Sequence, residues 1–320
     1  MKPARFAYYD PTSVGEVLDV LAQHGDAAKV LAGGQSLVPL MNMRLARPEN
    51  VVDLNGVAEL SYLEEHDGGL RIGAMTRQRQ LEKSAPVAER WPLLAEATRY
   101  IGHSQIRNRG TVGGSLAHAD PAAELPAVMA ALEAQFVIRG PSGERVVGAD
   151  DFFLTYLTTC LAPDELLVEI RLPAPPPGSH PAFQEVSRRH GDFALAGAAG
   201  LVALDEQGVC RDARIALFGV GPGPYRAREA EDLLKGEKPT EALLQQVGLK
   251  AAENLEPDSD IHASAEYRKE VGAVMVRRAL MAACGITPTP VPVPGYGPQP
   301  TTKSGRSRSS GRAARKGRKS

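Results

Sequence analysis

Cysteine is scarce in this chain: 320 residues hold three, Cys160, Cys210 and Cys284, and no two stand in a CxxC pair. That excludes a zinc ribbon or an iron–sulfur cluster ligated from within the chain, and the thiols read as reduced core groups. The seven histidines are equally scattered, so no residue is assigned to a metal. No apolar run approaches the roughly twenty residues of a membrane-crossing helix. The opening MKPARFAYYDP lacks the apolar stretch of a secretory signal, and residence in the cytoplasm is the expectation. A GxGxxG turn with an acidic residue some twenty positions on is also missing, which excludes a Rossmann domain. Acid, finally, is missing from one end. From 286 to 320 the charged residues are Lys303, Arg306, Arg308, Arg312, Arg315, Lys316, Arg318 and Lys319, so a formal charge of −1 conceals an acidic body and a basic tail.

Against these absences stand two double-glycine stretches, AGGQSL from Ala32 and TVGGSLAHADPAAELP from Thr111, each read as a loop joined to apolar segments. Glycine reaches backbone angles closed to other residues and has no Cβ to hold a ligand away, so successive N–H groups can converge on phosphate oxygens. Ser36, one residue beyond the first pair, and Ser115, directly after the second, carry hydroxyls suited to the same oxygens. A single Gly-Gly is most often a tight turn. Two in one domain suggest a cradle for a diphosphate.

With 43% hydrophobic residues the chain can support two domains. Ser13 is positioned to cap a helix through Leu21, with Glu16 completing a capping box and Val14, Val17, Leu18 and Leu21 on one face. A strand at 29–32 delivers the first glycine pair, 37–43 reads as a short helix, and 51–54 as a second strand. Further on, 70–72, 135–138 and 166–172 read as strands, with helices at about 87–101 and 124–133. The run PAPPPG at 173–178 interrupts both periodicities and is the expected domain boundary. Beyond it, strands at 194–204 and 213–220 precede helices at about 226–234, 241–254 and 265–283, an α+β order. The Pro-rich and then basic segment from 286 cannot bury enough apolar surface to fold alone and is expected to be disordered.

Five ordered blocks carry a resemblance: FAYYDPTSVGEVLDVLAQHGDAAKVLAGGQSLVPLMNMRLARPENVVDLN, TRYIGHSQIRNRGTVGGSLAHADPAAELPAV, FQEVSRRHGDFALAGAAG, FGVGPGPYRAREAE and SAEYRKEVGAVMVRRAL. Together they resemble the FAD-binding medium subunit of the molybdenum hydroxylases, the family of carbon monoxide dehydrogenase and bacterial xanthine dehydrogenase-type enzymes. The resemblance implies an α+β fold: a two-lobed FAD-binding domain of the vanillyl-alcohol oxidase type over 1–177 (lobes about 1–57 and 58–177), then a smaller α+β domain over 178–285. The tail, 286–320, follows. Some relatives carry a cluster on this subunit, but no cysteine flanks the second glycine pair here.

Carried over position by position, the resemblance places Val30, Leu31, Ala32, Gly33, Gly34, Gln35, Ser36 and Leu37 around the diphosphate and adenosine, with Thr111, Gly113, Gly114 and Ser115 closing the other side. Ile101 matches a position that covers the flavin ring, or else is an ordinary helix core residue. Glu124, with Asp120 as second choice, is suited to accept from sugar hydroxyls; the competing reading is a helix N-terminal acid favoured by the macrodipole. Leu167 matches a residue whose main chain approaches the cofactor. Gln184 stands where Lys is frequent, so it offers a neutral hydrogen bond instead of a charge near the flavin. Asp192 and Phe193 lie in the segment passing the ring, and Phe193 stands where Tyr is common in carbon monoxide dehydrogenases. Arg188, Arg189 and Asp192 also fit a plain surface ion cluster.

The implied function is electron transfer. FAD on this chain collects electrons from two-iron clusters of a small partner subunit, while a large partner subunit carries the molybdenum cofactor and oxidises substrate. An external acceptor receives the electrons, and the assembly is a dimer of three-subunit units. Two other readings stand beside it: a self-contained flavin oxidase, and a flavin-free scaffold or nucleic-acid-binding protein whose tail contacts an acidic surface.

Overall fold

In the computed structural model, which describes residues 2–288, the chain opens with a small parallel sheet. Strand β1 (Ala7–Tyr9) is followed by helix α1 (Val14–His24), β2 (Ala28–Leu31), helix α2 (Leu37–Asn42) and β3 (Asn50–Asp53). The sheet order is β1-β3-β2, with both pairings parallel. Ser13 caps α1 through its hydroxyl, which accepts from Glu16 N at 3.3 Å. The Glu16 carboxylate accepts from Thr12 N at 2.7 Å, one residue earlier than a capping box requires. Val14, Val17 and Leu21 are buried on one face, as the spacing predicts.

A five-stranded antiparallel sheet follows, assembled from distant segments in the order β4-β5-β10-β6-β7. Its strands are β4 (Leu63–His66), β5 (Gly69–Gly73), β6 (Gln135–Gly140), β7 (Gly143–Gly148) and β10 (Leu166–Leu172). Between β5 and β6 the chain runs through six helices: α3 (Gln78–Lys83), α4 (Ala85–Arg90), α5 (Pro92–Thr98), α6 (Ser104–Arg109), α7 (Val112–His118) and α8 (Glu124–Ala131). The single helix expected over 87–101 is split. Trp91 takes φ −125° and ψ 57°, and Pro92 begins α5, because proline has no N–H to continue α4 and restricts the residue before it. Between β7 and β10 lie α9 (Ala149–Phe152) and a small hairpin of β8 (Phe153–Thr155) and β9 (Thr158–Thr159).

The last sheet is antiparallel in the order β11-β12-β13-β14: β11 (Ser179–Ser187), β12 (Ala194–Leu204), β13 (Cys210–Phe218) and β14 (Tyr225–Arg226). Helices α10 (Arg228–Leu234), α11 (Glu241–Ala252) and α12 (Ala265–Ala283) complete the described chain. Strand β12, ALAGAAGLVAL, is buried along almost its whole length. Its small residues admit close neighbours: a Cβ on Gly197 would fall 2.1 Å from the Phe218 ring, and one on Gly200 2.0 Å from Arg214 O.

The prolines at 173–178 fall between β10 and β11, yet the largest apolar cluster runs across them. It joins Trp91, Leu94, Leu125 and Phe136 to Phe183, Leu201 and Phe218. Tyr100, Phe183 and Phe218 form a chain of ring contacts with centroids 4.8 and 5.8 Å apart, and the Trp91 indole donates to Pro173 O at 3.0 Å. Fully burying a side chain of this size contributes about 1.5–3 kcal/mol, so this shared core is a large part of what sets the last sheet against the helices. A second cluster packs α10 to α12 on the other face of that sheet, and a third sits under α1. The disordered tail expected from 286 lies, from 289 on, outside the described residues.

Candidate functional site

The first glycine segment leaves β2 after Val30 and Leu31 and runs through Ala32, Gly33, Gly34, Gln35 and Ser36 to Leu37, the first residue of α2. Gly34 has φ +72°, which an L side chain adopts only under strain. Gly33 is buried, and a Cβ on it would lie 2.5 Å from Arg109 O and 2.7 Å from Gly110 Cα. No carbonyl among the described residues accepts from the amides of Gly33, Gly34, Gln35 or Ser36, and the Ser36 hydroxyl does not cap α2.

The second pair is not in a loop, as its sequence predicts, but in the first turn of α7. Thr111 caps that helix, accepting from Gly114 N at 3.1 Å. Glycine in a helix costs about 1 kcal/mol. The contacts show why it is needed here. A Cβ on Gly113 would lie 2.5 Å from Ala74 Cβ, and one on Gly114 2.6 Å from Thr111 Oγ1 and 3.2 Å from Ala32 Cβ. Backbone bonds fasten this turn to 74–78: Gly113 N to Ala74 O at 2.8 Å, Val112 N to Thr76 O at 2.9 Å and Gln78 N to Gly110 O at 2.9 Å. Ser115 follows, half-buried. The two glycine pairs, about eighty positions apart in sequence, therefore meet. Successive unpaired amides and a hydroxyl on one side, facing a side-chain-free helical turn on the other, fit the diphosphate of FAD.

Ile101 lies just after α5 and packs half-buried against the main core. Its carbonyl accepts from Arg107 at 2.9 Å, and Gly102 O accepts from the same nitrogen at 3.2 Å. Arg107 is only 8% exposed and is paired with Glu82 at 2.9 Å. That guanidinium, seconded by Arg79, holds the Glu82 carboxyl down at about 2. The segment 187–193 reaches the same place. A Cβ on Gly191, φ +86°, would lie 2.7 Å from the His103 ring and 2.9 Å from Gly102 O. Phe193 beside it is 63% exposed. Asp192 pairs with Arg188 at 3.8 Å, both at the surface, so the surface ion pair is present and contributes little stability.

Glu124 opens α8 and is 6% exposed. Burial pushes its carboxyl up to about 8, with the charges of Glu185 and Asp120 adding to the effect and Arg107 opposing it. At neutral pH it is mostly protonated and offers an O–H as well as an acceptor oxygen. Glu185, next to Gln184 on β11, is pushed by burial to about 7, and its Oε2 is buried without a partner. Asp120 instead accepts from Ala122 N at 2.9 Å in a local turn. Leu167 is buried in β10 with its side chain in the core, beside the bulge between Leu167 and Glu169. Val168 O there accepts from Ala74 N at 3.0 Å, directly beneath Gly113.

The structure thus gathers most of the predicted residues in three places: the two glycine segments, the Ile101 and Phe193 side, and the carboxyl region of Glu124 and Glu185; Gln184, paired with Ala198, lies on the other face of β11 with Ala182 and the second apolar cluster, and is not brought there. Arg107, Glu82, Glu185, Arg77 and Asn55 belong to the same surroundings and carry no mark in the sequence; only the SQIRNRG context places Arg107 near a glycine segment. Among the described residues no cluster of three or more His, Cys, Asp or Glu could hold a metal ion, and no helix is long and apolar enough to cross a membrane.

Residues 4–175 match the family model described as FAD binding domain in molybdopterin dehydrogenase, and residues 181–283 match that of the CO dehydrogenase flavoprotein C-terminal domain. The chain is 44% identical over 283 residues to 6-hydroxypseudooxynicotine dehydrogenase complex subunit alpha of Paenarthrobacter nicotinovorans, covering 88% of this chain and 96% of the relative. It is 42% identical over 283 residues to the carbon monoxide dehydrogenase medium chain of Hydrogenophaga pseudoflava, covering 88% and 98%. A chain in the structure of carbon monoxide dehydrogenase from Hydrogenophaga pseudoflava lacking the Mo-pyranopterin moiety superposes with a TM-score of 0.87 at 43% identity, covering 89% of this chain and 99% of that one.

Proposed function

Since the chain belongs to the FAD-binding medium subunits of the molybdenum hydroxylases, we propose that it holds FAD between its two glycine segments and carries electrons from a partner's iron–sulfur clusters to an external acceptor. The observation that carries this reading is the meeting of the two segments, with Gly33 against Arg109 and Gly110, Gly114 against Ala32, and four amides left without an acceptor. FAD when bound supplies the exchange of electrons between clusters and acceptor; the chain binds it, orients it and sets its surroundings.

The amides of Gly33 to Ser36, with the hydroxyls of Ser36 and Ser115, hold the diphosphate. Val30, Leu31, Ala32 and Leu37 shape the adenosine side, while Thr111 and Gly113 fix the opposing turn. Ile101, held by Arg107, covers the ring, and the Leu167 main chain abuts the same site. Glu124, protonated, donates to a sugar hydroxyl, with Asp120 serving the turn before it. The 188–193 segment with Asp192 and Phe193 borders the ring at the surface.

The first 177 residues form a two-lobed domain of the vanillyl-alcohol oxidase type, 178–285 a second domain, and the subunit works in the cytoplasm in a dimer of three-subunit units with large and small partners. Relatives at nearly equal identity are named for 6-hydroxypseudooxynicotine and for carbon monoxide. Substrate choice therefore rests outside this chain. These two relatives are subunits covered over 96% and 98% of their length, which argues against a self-contained oxidase. The scaffold reading depends on a tail outside the described residues.

The test is direct. Purified full-length chain should carry FAD, released intact by acid because no bond to the protein forms, and should not reduce it with substrate when alone. A colourless chain that takes up no added FAD refutes the binding; substrate-driven reduction by the isolated chain refutes the electron-transfer role.

A further inference from the structure

The two glycine segments are anchored in different ways. The second is tied through backbone bonds to 74–78, whereas beyond Leu31 no backbone hydrogen bond among the described residues ties the first segment to the second. What spans them is a side chain. Arg77 precedes α3, its N–H donating to Gln80 Oε1 at 2.8 Å, and it forms an isolated antiparallel bridge with Thr111. One guanidinium nitrogen donates to Arg109 O, the atom against which Gly33 packs. The other donates to Asn55 Oδ1 at 2.6 Å. Asn55 Nδ2 in turn donates to Ala32 O at 3.2 Å, within the first segment, and also to Asp53 Oδ1, which accepts from Asn55 N at 2.9 Å.

One arm of the Arg77 fork thus reaches the first segment through Asn55, and the other ends on Arg109 O, the carbonyl leading into the second segment, against which Gly33 packs. Resting on the FAD reading, we propose that Arg77 and Asn55 are positioning residues that set the separation of the two diphosphate-binding segments. A planar guanidinium presents rigid donors in two directions at once, which an ammonium on a flexible stem does not. Arg77 is held there at a cost, since burial and the neighbouring Arg109 both disfavour its charge, with Asp53 opposing them. The amides of Gly33 to Ser36 have no acceptor among the described residues, and while Gln35 Nε2 to Gly33 O at 3.0 Å and Val38 N to Gly34 O at 3.2 Å shape the segment locally, its distance from the second segment depends on this bridge.

The experiment titrates flavin-free full-length chain with FAD and, separately, with ADP, which carries the same diphosphate and adenosine. Arg77→Gln should weaken both by about tenfold or more, the scale of a lost charge-assisted hydrogen bond. Arg77→Lys, which keeps the charge and loses the fork, should fall as far as Arg77→Gln. Asn55→Ala should weaken both ligands comparably, and the double variant should be no weaker than the weaker single, since the residues act as one unit. Thermal unfolding of each flavin-free variant identifies any that has lost its fold; Asn55, with an exposed side chain, then decides the matter. Unchanged affinity in Arg77→Lys or Asn55→Ala, or strictly additive losses, overturns the bridge while leaving the FAD reading intact. Failure of the unaltered chain to bind either ligand overturns the FAD reading itself.

Discussion

The diphosphate side and the ring side of the candidate site are built from different material. The diphosphate side is backbone: amides of 33–36, a capped helical turn, and glycines whose missing side chains let Ala32, Ala74, Arg109 and Gly110 crowd together. The rest of the site is side chain: a buried Arg107 and Glu82 pair, two carboxyls whose affinity for a proton burial raises, and an exposed phenylalanine. A site made of backbone fails when any atom is added. One made of side chains can be altered in steps, and its response depends on charge and pH.

The sharpest break in this contrast is Gly114→Asp. The added Cβ meets Thr111 Oγ1 at 2.6 Å and Ala32 Cβ at 3.2 Å, and the carboxylate faces the diphosphate, so FAD content after purification should fall to background. Full occupancy measured by flavin absorbance would remove the second segment from the site. On the ring side, Arg107→Ala leaves the Glu82 charge half-buried and strips the donor from Ile101 O. Glu82 keeps Arg79 at 2.7 Å, so the loss is that of charge-assisted hydrogen bonds, about 1.5–3 kcal/mol, to be read from denaturant unfolding of the flavin-free chain. A loss under about 1 kcal/mol, the range of exposed pairs, would show that Arg107 does not organise this turn.

Glu124→Gln tests the carboxyl region through pH. The folded chain holds this proton more tightly than the unfolded one, so the stabilisation is complete below about 4.5 and is lost as pH rises through about 8. The unaltered chain should lose up to about 1.4 kcal/mol per pH unit from this group across that window. The variant should show a shallower decline, with the remainder from Glu185 acting in the same direction up to about 7. Identical slopes would contradict the burial of Glu124; the groups facing it are Glu185, Asp120 and Arg107. The smallest effect on stability belongs to Phe193→Ala. At 63% exposure it should change stability by no more than about 0.5 kcal/mol, while shifting the absorbance of bound FAD if the ring lies against it. An unchanged flavin spectrum would move Phe193 out of the site.

Much of the fold was legible. The α1 cap at Ser13, strands β2, β10 and β12 and helix α12 follow from spacing and turn chemistry that act over a few residues. The misreadings also have local causes. The break at Trp91 was written in Pro92 but masked by an apolar pattern that continues through Ala95 and Ala97. The helix at 112–118 was hidden because Gly-Gly signals a turn, and only its packing on Ala74 offsets glycine's low helix propensity.

Sequence alone determined that two glycine pairs would permit close approach of other backbone, because the absence of a Cβ is a property of the residue itself. Only the tertiary structure decided that Gly33 lies on Arg109, that Arg77 reaches Asn55, that Arg107 holds the Ile101 turn and that Glu124 is buried near Glu185. These relations join residues from separate elements. Hydrogen bonding and desolvation act over a few ångströms of space, and the sequence neighbours of Arg77 or Glu185 carry no record of which distant atoms folding will bring within that range.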